Sequence, residues 1–396
     1  MKIALVIPRF DPHVGGAERW TWDFATRLLE HRHELHVVAV TFSDATVDSM
    51  PGIACHEVPA ASGGFFRARF AFAAGAEELL RHVDLDVVHD MGHGWYGNVF
   101  MPHGGTRGGS FRQNVQCSAP WLRRYKELTW SILPRYRMFR ELERRQYVTD
   151  GSRLFIALSE MVRRDMGRFH GLPSYLMRVV YNGIDTARFS PTHRVRHRAR
   201  VRRSLGIHDE VMFLLVAHNF KLKGVGAAIE AAAQLARKRR DLRLVVIGRD
   251  RPGPYERQAR KLGCNDVVQF VGGVADSVPF YAAADVYLHP TYYDPCSLVV
   301  LEALASGLPV ITTVHNGAGE LVTPGVHGFV LDDPSDVLGM VGCMDKLMDS
   351  GVRATCSRRA RELADQHDLE RNYREILAVY EEAARVAPLA MRKAAA

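Results

Sequence analysis

Two acids stand eight residues apart, Asp294 and Glu302, in the stretch Tyr293-Asp294-Pro295-Cys296-Ser297-Leu298-Val299-Val300-Leu301-Glu302-Ala303-Leu304. Asp294 falls in a loop. Glu302 falls in a helix that is apolar nearly all round, with Leu298, Val299, Val300, Leu301, Ala303 and Leu304 about it. A helix greasy on every face belongs in a protein interior. A lone carboxylate there is costly unless something hydrogen-bonds to it. The helix start between the two acids leaves its first amides free, which makes an anion site. Acids on both sides of an amide cluster suit a molecule with hydroxyls on either side of a phosphate. A nucleotide sugar is such a molecule.

At 396 residues the chain should hold about two domains. Its hydrophobic fraction of 47% and charged fraction of 24% are those of a globular protein in water. The opening MKIALVIPRF is too short for a signal sequence and predicts a first β-strand. No run approaches the ~18 apolar residues of a membrane span. Six cysteines (Cys55, Cys117, Cys264, Cys296, Cys343, Cys356) are scattered with no C-x-x-C pair, which fits free thiols in a reducing cytoplasm. Net charge is +8, unevenly spread: Arg107 to Arg178 holds 15 Lys or Arg against six Asp or Glu, a net of +9. Such a stretch is a solvated Arg-rich helical surface, or it meets an anionic membrane or a phosphorylated substrate. No helix-turn-helix, RNP or zinc-finger signature points to nucleic acid.

Two segments share one plan. The first runs strand Lys2–Ile7, a loop with Gly15-Gly16, a helix over about 17–29 and strand Leu35–Val40. The second runs strand Val211–Val216, a loop with Lys221-Leu222-Lys223-Gly224, a helix over about 227–238 and strand Leu242–Ile247. Both predict βαβ units and parallel sheets. Strands at 86–89, 97–101 and 154–158 continue the first half, and strands at 267–271, 286–289 and 310–312 the second. The fold class is therefore α/β. The expected division is an N-terminal Rossmann-like domain over 1–186, a Pro-containing basic linker over 187–203 and a C-terminal one over 204–368. An amphipathic helix over about 369–386 should return to the first domain, and the tail Pro388–Ala396 should fray.

The second half resembles the retaining glycosyltransferases of family 4, which have the GT-B fold of two Rossmann-like domains facing each other across a cleft. The residues that carry the likeness are AHNFKLKG, LVVIGRD and QFVGGVADSVPFYAAADVYLHPTYYDPCSLVVLEALASGLPVITT. GGAER, MPHGG and YNGIDTARFSP add weaker matches in the first half. Through NFKLKGV and AAADVYLHP the chain is most similar to bacterial lipopolysaccharide core glucosyltransferases. The likeness is strong from Val211 to Asp333 and thin from Val40 to Ser152.

The resemblance implies a donor site of Gly15, Gly16, Lys221, Lys223, Gly248, Gly273, Val274, Asp294, Cys296, Ser297, Leu298 and Glu302. It assigns Asp294 to the donor sugar's hydroxyls and Glu302 to the ribose, as an E-x7-E motif whose first Glu is here Asp. Lys223 matches the family's basic residue at the diphosphate; five positions earlier, where an Arg is frequent, stands His218, and Lys221 is a candidate for the missing charge. His103 matches a histidine facing the reacting sugar, or else serves on the acceptor side, while His289 reads as packing. The implied catalytic set is His103, Lys223 and Asp294, with no metal, since no Asp-x-Asp dyad stands at the diphosphate. The implied reaction moves a hexose, with glucose on UDP the leading donor, to a lipid-linked or lipopolysaccharide-type glycan. The implied place is the cytoplasmic face of an anionic membrane, with peripheral contact. The rival readings are a nucleotide-sugar epimerase of the same fold and a nonenzymatic membrane-associated binding protein.

Overall fold

Several strands of this chain are apolar at nearly every position. VMFLLV at 211–216 and LRLVVI at 242–247 each bury nearly all of their side chains. Strands of this kind need cover on both faces, which parallel sheets flanked by helices provide. The computed structural model describes residues 1–43, 50–118, 120–132, 134–386 and 389, with backbone alone at 120, 130–132 and 134–136. The tail Pro388–Ala396 lies outside the described residues, Leu389 excepted.

The chain forms two compact units, Met1–Val180 with the stretch from Asn372 onward, and Tyr181–Arg371. The division falls within the helix Leu369–Val386. The first unit contains β1 (Lys2–Val6), β2 (Arg9–Phe10), β3 (Glu34–Ala39), β4 (Thr41–Phe42), β5 (Ile53–Glu57), β6 (Val87–Asp90), β7 (Val99–Phe100), β8 (Leu154–Ala157) and β9 (Met177–Val179). Seven of these make one parallel sheet in the order β5-β3-β1-β6-β7-β8-β9. The C-terminal helix is fastened to this unit by Tyr380, whose hydroxyl lies 2.6 Å from His89 Nδ1. Glu382 pairs with Arg178 there as well.

The second unit contains β10 (Val211–Val216), β11 (Leu242–Ile247), β12 (Val268–Gly272), β13 (Val286–Leu288), β14 (Val310–Thr313) and β15 (Gly328–Leu331). They pair in parallel in the order β12-β11-β10-β13-β14-β15. The chain winds outward from β10 in one direction and from β13 in the other. The loops that leave the carboxyl ends of these two strands therefore diverge and open a crevice between them. The helix Val225–Ala236 covers the sheet with small buried residues, among them Ala228, Ala231 and Ala232, around Ile229 and Leu235.

The basic run in the expected linker is helical over His193–Ser204. It belongs to the second unit because Arg198 and Arg202 both reach Asp285, at 2.7 and 3.0 Å. Arg202, buried, also donates to the carbonyls of His208 and Glu210. These tertiary contacts neutralise charges that a reading of local composition assigns to solvent.

Gly224 links the β10 loop to the β13 loop. Its φ is +71°, and a Cβ there would stand 2.1 Å from the Pro290 carbonyl oxygen. Gly263 shares the conformation, φ +69°, but has open space around it. Gly263→Ala should therefore cost only the left-handed backbone penalty, about 1–2 kcal/mol. Gly224→Ala adds a backbone clash, for a total of about 3 kcal/mol or more. At roughly 2–4 °C per kcal/mol for a unit of this size, its melting temperature should fall by about 6–12 °C. Equal melting temperatures for the two variants in calorimetry would refute the contact.

Candidate active site

The sheet of the second unit brings its chemistry to one edge. The loop after β10 carries Lys223, and the loop after β13 carries Asp294. The Lys223 ammonium lies 2.5 Å from Asp294 Oδ2, and also donates to the Tyr293 carbonyl oxygen at 3.4 Å. Both side chains are mostly buried, 19% and 15% exposed. Burial alone would raise the Asp294 carboxyl. The Lys223 charge and a hydrogen bond from His289 reverse that and hold it well below the usual carboxylate range. It is a carboxylate at any working pH. The β10 loop is itself pinned, because the Phe220 amide donates to Asp250 Oδ2 at 2.8 Å.

His289 directly follows β13 and is fully buried. Its Nε2 lies 3.5 Å from Asp294 Oδ2 and 3.4 Å from Ser297 Oγ, and its Nδ1 lies 3.5 Å from the Tyr287 hydroxyl. Burial lowers its pKa, so the ring is neutral and orients Asp294 without adding charge. From sequence alone this residue reads as packing. The only signal was its place at a strand end, five positions before the acid.

Glu302 lies on the helix Leu298–Ala305 and is half-buried. The Tyr281 hydroxyl donates to its Oε2 at 2.8 Å. Tyr281 is buried, and burial together with the Glu302 charge pushes its phenol well above the ordinary value, so it stays a donor. The hydrogen bond that a carboxylate in this helix requires is thus supplied from the helix Val278–Ala283, a partner that no local pattern announces. No side chain caps the start of the Glu302 helix among the described residues. The Ser297 amide is held by Asn316 Oδ1 at 3.3 Å, and Asn316 is anchored in turn to Thr312 Oγ1 at 3.0 Å. The Asn182 side chain donates to the Cys296 carbonyl at 2.8 Å. The turn that presents the first amides of the helix is therefore gripped on two sides.

The remaining candidates of this unit differ in kind. Leu298 opens the helix, Ser297 is its N-cap, and Cys296 is buried with its thiol pushed up to about 12 by burial. Gly273 is exposed and Val274 half-buried, in the segment that follows β12. Gly248 follows β11; a Cβ there would lie 1.7 Å from the Ala217 carbonyl oxygen, and its amide donates to Gly272. Contact between backbone segments of the protein accounts for that glycine. Lys221 is exposed, and its side chain has no hydrogen bond or ion pair among the described residues. Burial, then the charges of Arg249 and Lys223, lower His218. Arg249 is a basic residue of this edge that sequence reasoning passed over, although it follows Gly248 directly.

Gly15, Gly16 and His103 belong to the first unit. Gly15 caps the helix Gly16–Glu30 in an extended conformation open to any residue, and a Cβ would meet the Glu18 carboxylate at 2.6 Å. His103 follows β7. Its ring packs on Trp20 with centroids 4.7 Å apart, and burial lowers it to about 3. Its Nε2 is buried with no hydrogen-bond partner among the described residues. A neutral imidazole with an unfilled nitrogen can accept or donate one hydrogen bond to a ligand.

Residues 197–363 match the family model of glycosyl transferases group 1, and residues 14–188 match that of glycosyltransferase family 4. The chain is 30% identical over 256 residues to the lipopolysaccharide glucosyltransferase WaaG of Escherichia coli (strain K12), covering 64% of this chain and 68% of that one. The crystal structure of WaaG, a glycosyltransferase involved in lipopolysaccharide biosynthesis, superposes with a TM-score of 0.80 at 24% identity, covering 96% of this chain and 99% of that one. Anabaena Alr3699/HepE in complex with UDP and glucose gives a TM-score of 0.70 at 20% identity, with 96% and 99% covered. Both of these structural likenesses speak to fold. Two parallel-sheet units, matches to both family models and the extent of the likeness to WaaG lead to one conclusion: the chain belongs to the group 1 and family 4 glycosyltransferases and has the GT-B fold.

Proposed function

We propose that the protein moves a hexose, with glucose the leading choice, from a UDP-sugar to a lipid-linked or lipopolysaccharide-type glycan, with retention at the anomeric carbon and without a metal. The observation that carries the reading is the Lys223–Asp294 contact at the carboxyl edge of the second sheet. An ammonium has three donors. Asp294 and the Tyr293 carbonyl take two, which leaves the third for a departing diphosphate. Negative charge grows on that diphosphate as its bond to the sugar breaks, and a fixed cation acts where charge develops. Asp294 accepts the donor sugar's hydroxyls and Glu302 those of the ribose. Attack comes from the face the diphosphate leaves, and a phosphate oxygen takes the acceptor's proton, so no protein nucleophile is needed. His103 hydrogen-bonds on the sugar side. The name of WaaG and the UDP and glucose bound to HepE support the choice of donor.

The first test is release of UDP from UDP-glucose in EDTA, slow alone and accelerated by a glycan acceptor. Lys223→Ala should depress turnover by at least tenfold while uridine binds nearly as before. Activity lost to EDTA and restored by Mg²⁺ or Mn²⁺ would overturn the metal-free phosphate site. Binding of UDP-glucose with no release under any condition would favour a binding protein.

Glu302→Gln tests the ribose contact. Charge-assisted hydrogen bonds contribute about 1.5–3 kcal/mol, so UDP affinity should fall roughly tenfold or more while the melting temperature stays near that of the wild type. Unchanged UDP affinity in calorimetry would remove Glu302 from the site.

The same proposal places the protein at the cytoplasmic face of a membrane, held peripherally. No described helix is long and apolar enough to cross one. The support comes from the helix Pro120–Ile132, which exposes Trp121, Tyr125 and Leu128 by 75%, 64% and 69%. Spacings of four and three put these on one helical stripe. Arg124 is exposed beside them, whereas Arg123 donates to the carbonyls of Gln116 and Ser118, and Lys126 to Ser118 Oγ. The stripe and Arg124 therefore make a better target than the whole basic cluster. Trp121→Ala with Leu128→Ala should weaken binding to anionic vesicles by about tenfold or more, and added salt should weaken the wild type further. Equal vesicle binding by wild type and variant at low salt would refute this surface.

A further inference from the structure

A cavity of about 620 Å³ lies wholly within the first unit and contains none of the donor-side candidates. The loops after β6 and β7 form part of its wall, as do the helices Phe65–Arg81, Arg107–Gln116 and Pro134–Gln146. Its charge is lopsided: Arg69, Arg107 and Lys126 line it against one acid, Glu143. Lys126 is engaged with Ser118. The two guanidiniums are not spent in this way. Arg69 lies over the Phe65 ring at 4.5 Å, and Arg107 over the Phe139 ring at 4.1 Å. Aromatic faces take the flat side of a guanidinium and leave its edge donors available.

Among the described residues no hydrogen bond or ion pair engages Arg69, and the ion-pair partner of Arg107, Glu143, stands 4.0 Å away. Burial and the neighbouring Arg107 lower Arg69 to about 10, as expected for cations without a counter-charge. Glu143 is buried, and its Oε1 has no hydrogen-bond partner among the described residues. Burial raises its carboxyl to about 7. The wall itself is firm. Asp90 Oδ1 accepts the amides of Gly92, His93 and Gly94 at 2.8, 2.7 and 3.0 Å, which fixes the loop after β6.

Two rigidly held guanidiniums with free edges match a phosphate in bidentate fashion. A buried carboxyl oxygen beside them matches a hydroxyl. We propose that this cavity binds a phosphorylated sugar, its phosphate monoester on Arg69 and Arg107 and a neighbouring hydroxyl on Glu143. Resting on the glycosyltransferase reading above, it narrows the acceptor to a glycan that carries a phosphate next to the sugar being extended.

The test is calorimetric titration of the full chain with glucose 6-phosphate, the donor site being saturated with UDP. Wild type should bind it at least tenfold more tightly than glucose, and also more tightly than inorganic phosphate or glycerol 3-phosphate. Arg69→Gln and, separately, Arg107→Gln should each lose roughly tenfold or more, with UDP affinity and melting temperature unchanged. Four results would overturn the proposal: affinity for glucose equal to that for its phosphate, full affinity in both variants, displacement of glucose 6-phosphate by UDP, or equal affinity for glycerol 3-phosphate, which would assign the site to a lipid headgroup. Failure of the donor reading shows itself separately, as a wild type that does not bind UDP.

Discussion

The second unit is organised around one contact, the ammonium of Lys223 against the carboxylate of Asp294. Neither charge is comfortable where it stands. A mostly buried ion loses hydration worth several kcal/mol, and attraction to a partner offsets that only when the geometry is good and the remaining lone pairs are filled. The fold meets this demand with neutral neighbours. His289 faces Asp294, Tyr293 offers its carbonyl to Lys223, and Gly224 lets the β10 loop lie directly on Pro290. Two loops that diverge from adjacent strands are thereby held together by a charge pair at their tips. Removing either charge would leave the other desolvated and alone, so the pair fixes the shape of the loops as well as their chemistry.

Glu302 obeys the same rule by another route. A buried phenol from the preceding helix, that of Tyr281, donates a hydrogen bond to it. The two acids thus differ in what competes for them. Asp294 is held by a full positive charge, and Glu302 by a neutral donor. A ligand hydroxyl that approaches Asp294 joins an existing ion pair. One that approaches Glu302 joins the hydrogen bond from Tyr281. A donor whose sugar must be positioned relative to a leaving phosphate gains from the first arrangement. A ribose that only needs holding is served by the second.

Much of this was legible in the chain. The βαβ units, the parallel sheets and the strands Val211–Val216 and Leu242–Ile247 follow from apolar runs, and their ends shift by only a residue or two elsewhere. Lys223, Asp294 and Glu302 stood out because their chemistry lies in local order: a basic loop, an acid before a helix and an acid inside one. What stayed hidden was tertiary. Tyr281 lies 21 residues before Glu302, and Asn316 lies 19 after Ser297. Arg198 and Arg202 were read as linker charge because Asp285, their partner, is more than 80 residues away in sequence. The packing of Gly248 against the Ala217 carbonyl was likewise hidden, since the two lie 31 residues apart in sequence.

The two units also handle charge differently, and this bears on what each can recognise. At the edge of the second sheet the mostly buried cation is matched: Lys223 pairs with Asp294, and the neutral His289 completes the group, while Lys221 stays exposed. In the proposed reaction a diphosphate at Lys223 would share a cation that already has a partner. The first unit keeps Arg69 and Arg107 under-compensated and stacks them on rings instead of pairing them tightly with acids. Stacking costs a guanidinium none of its edge donors, whereas a close ion pair would occupy them. A partly buried charge without a close counter-charge is costly in a fold unless a ligand or solvent answers it, and that cost is the physical ground of the proposed phosphate site.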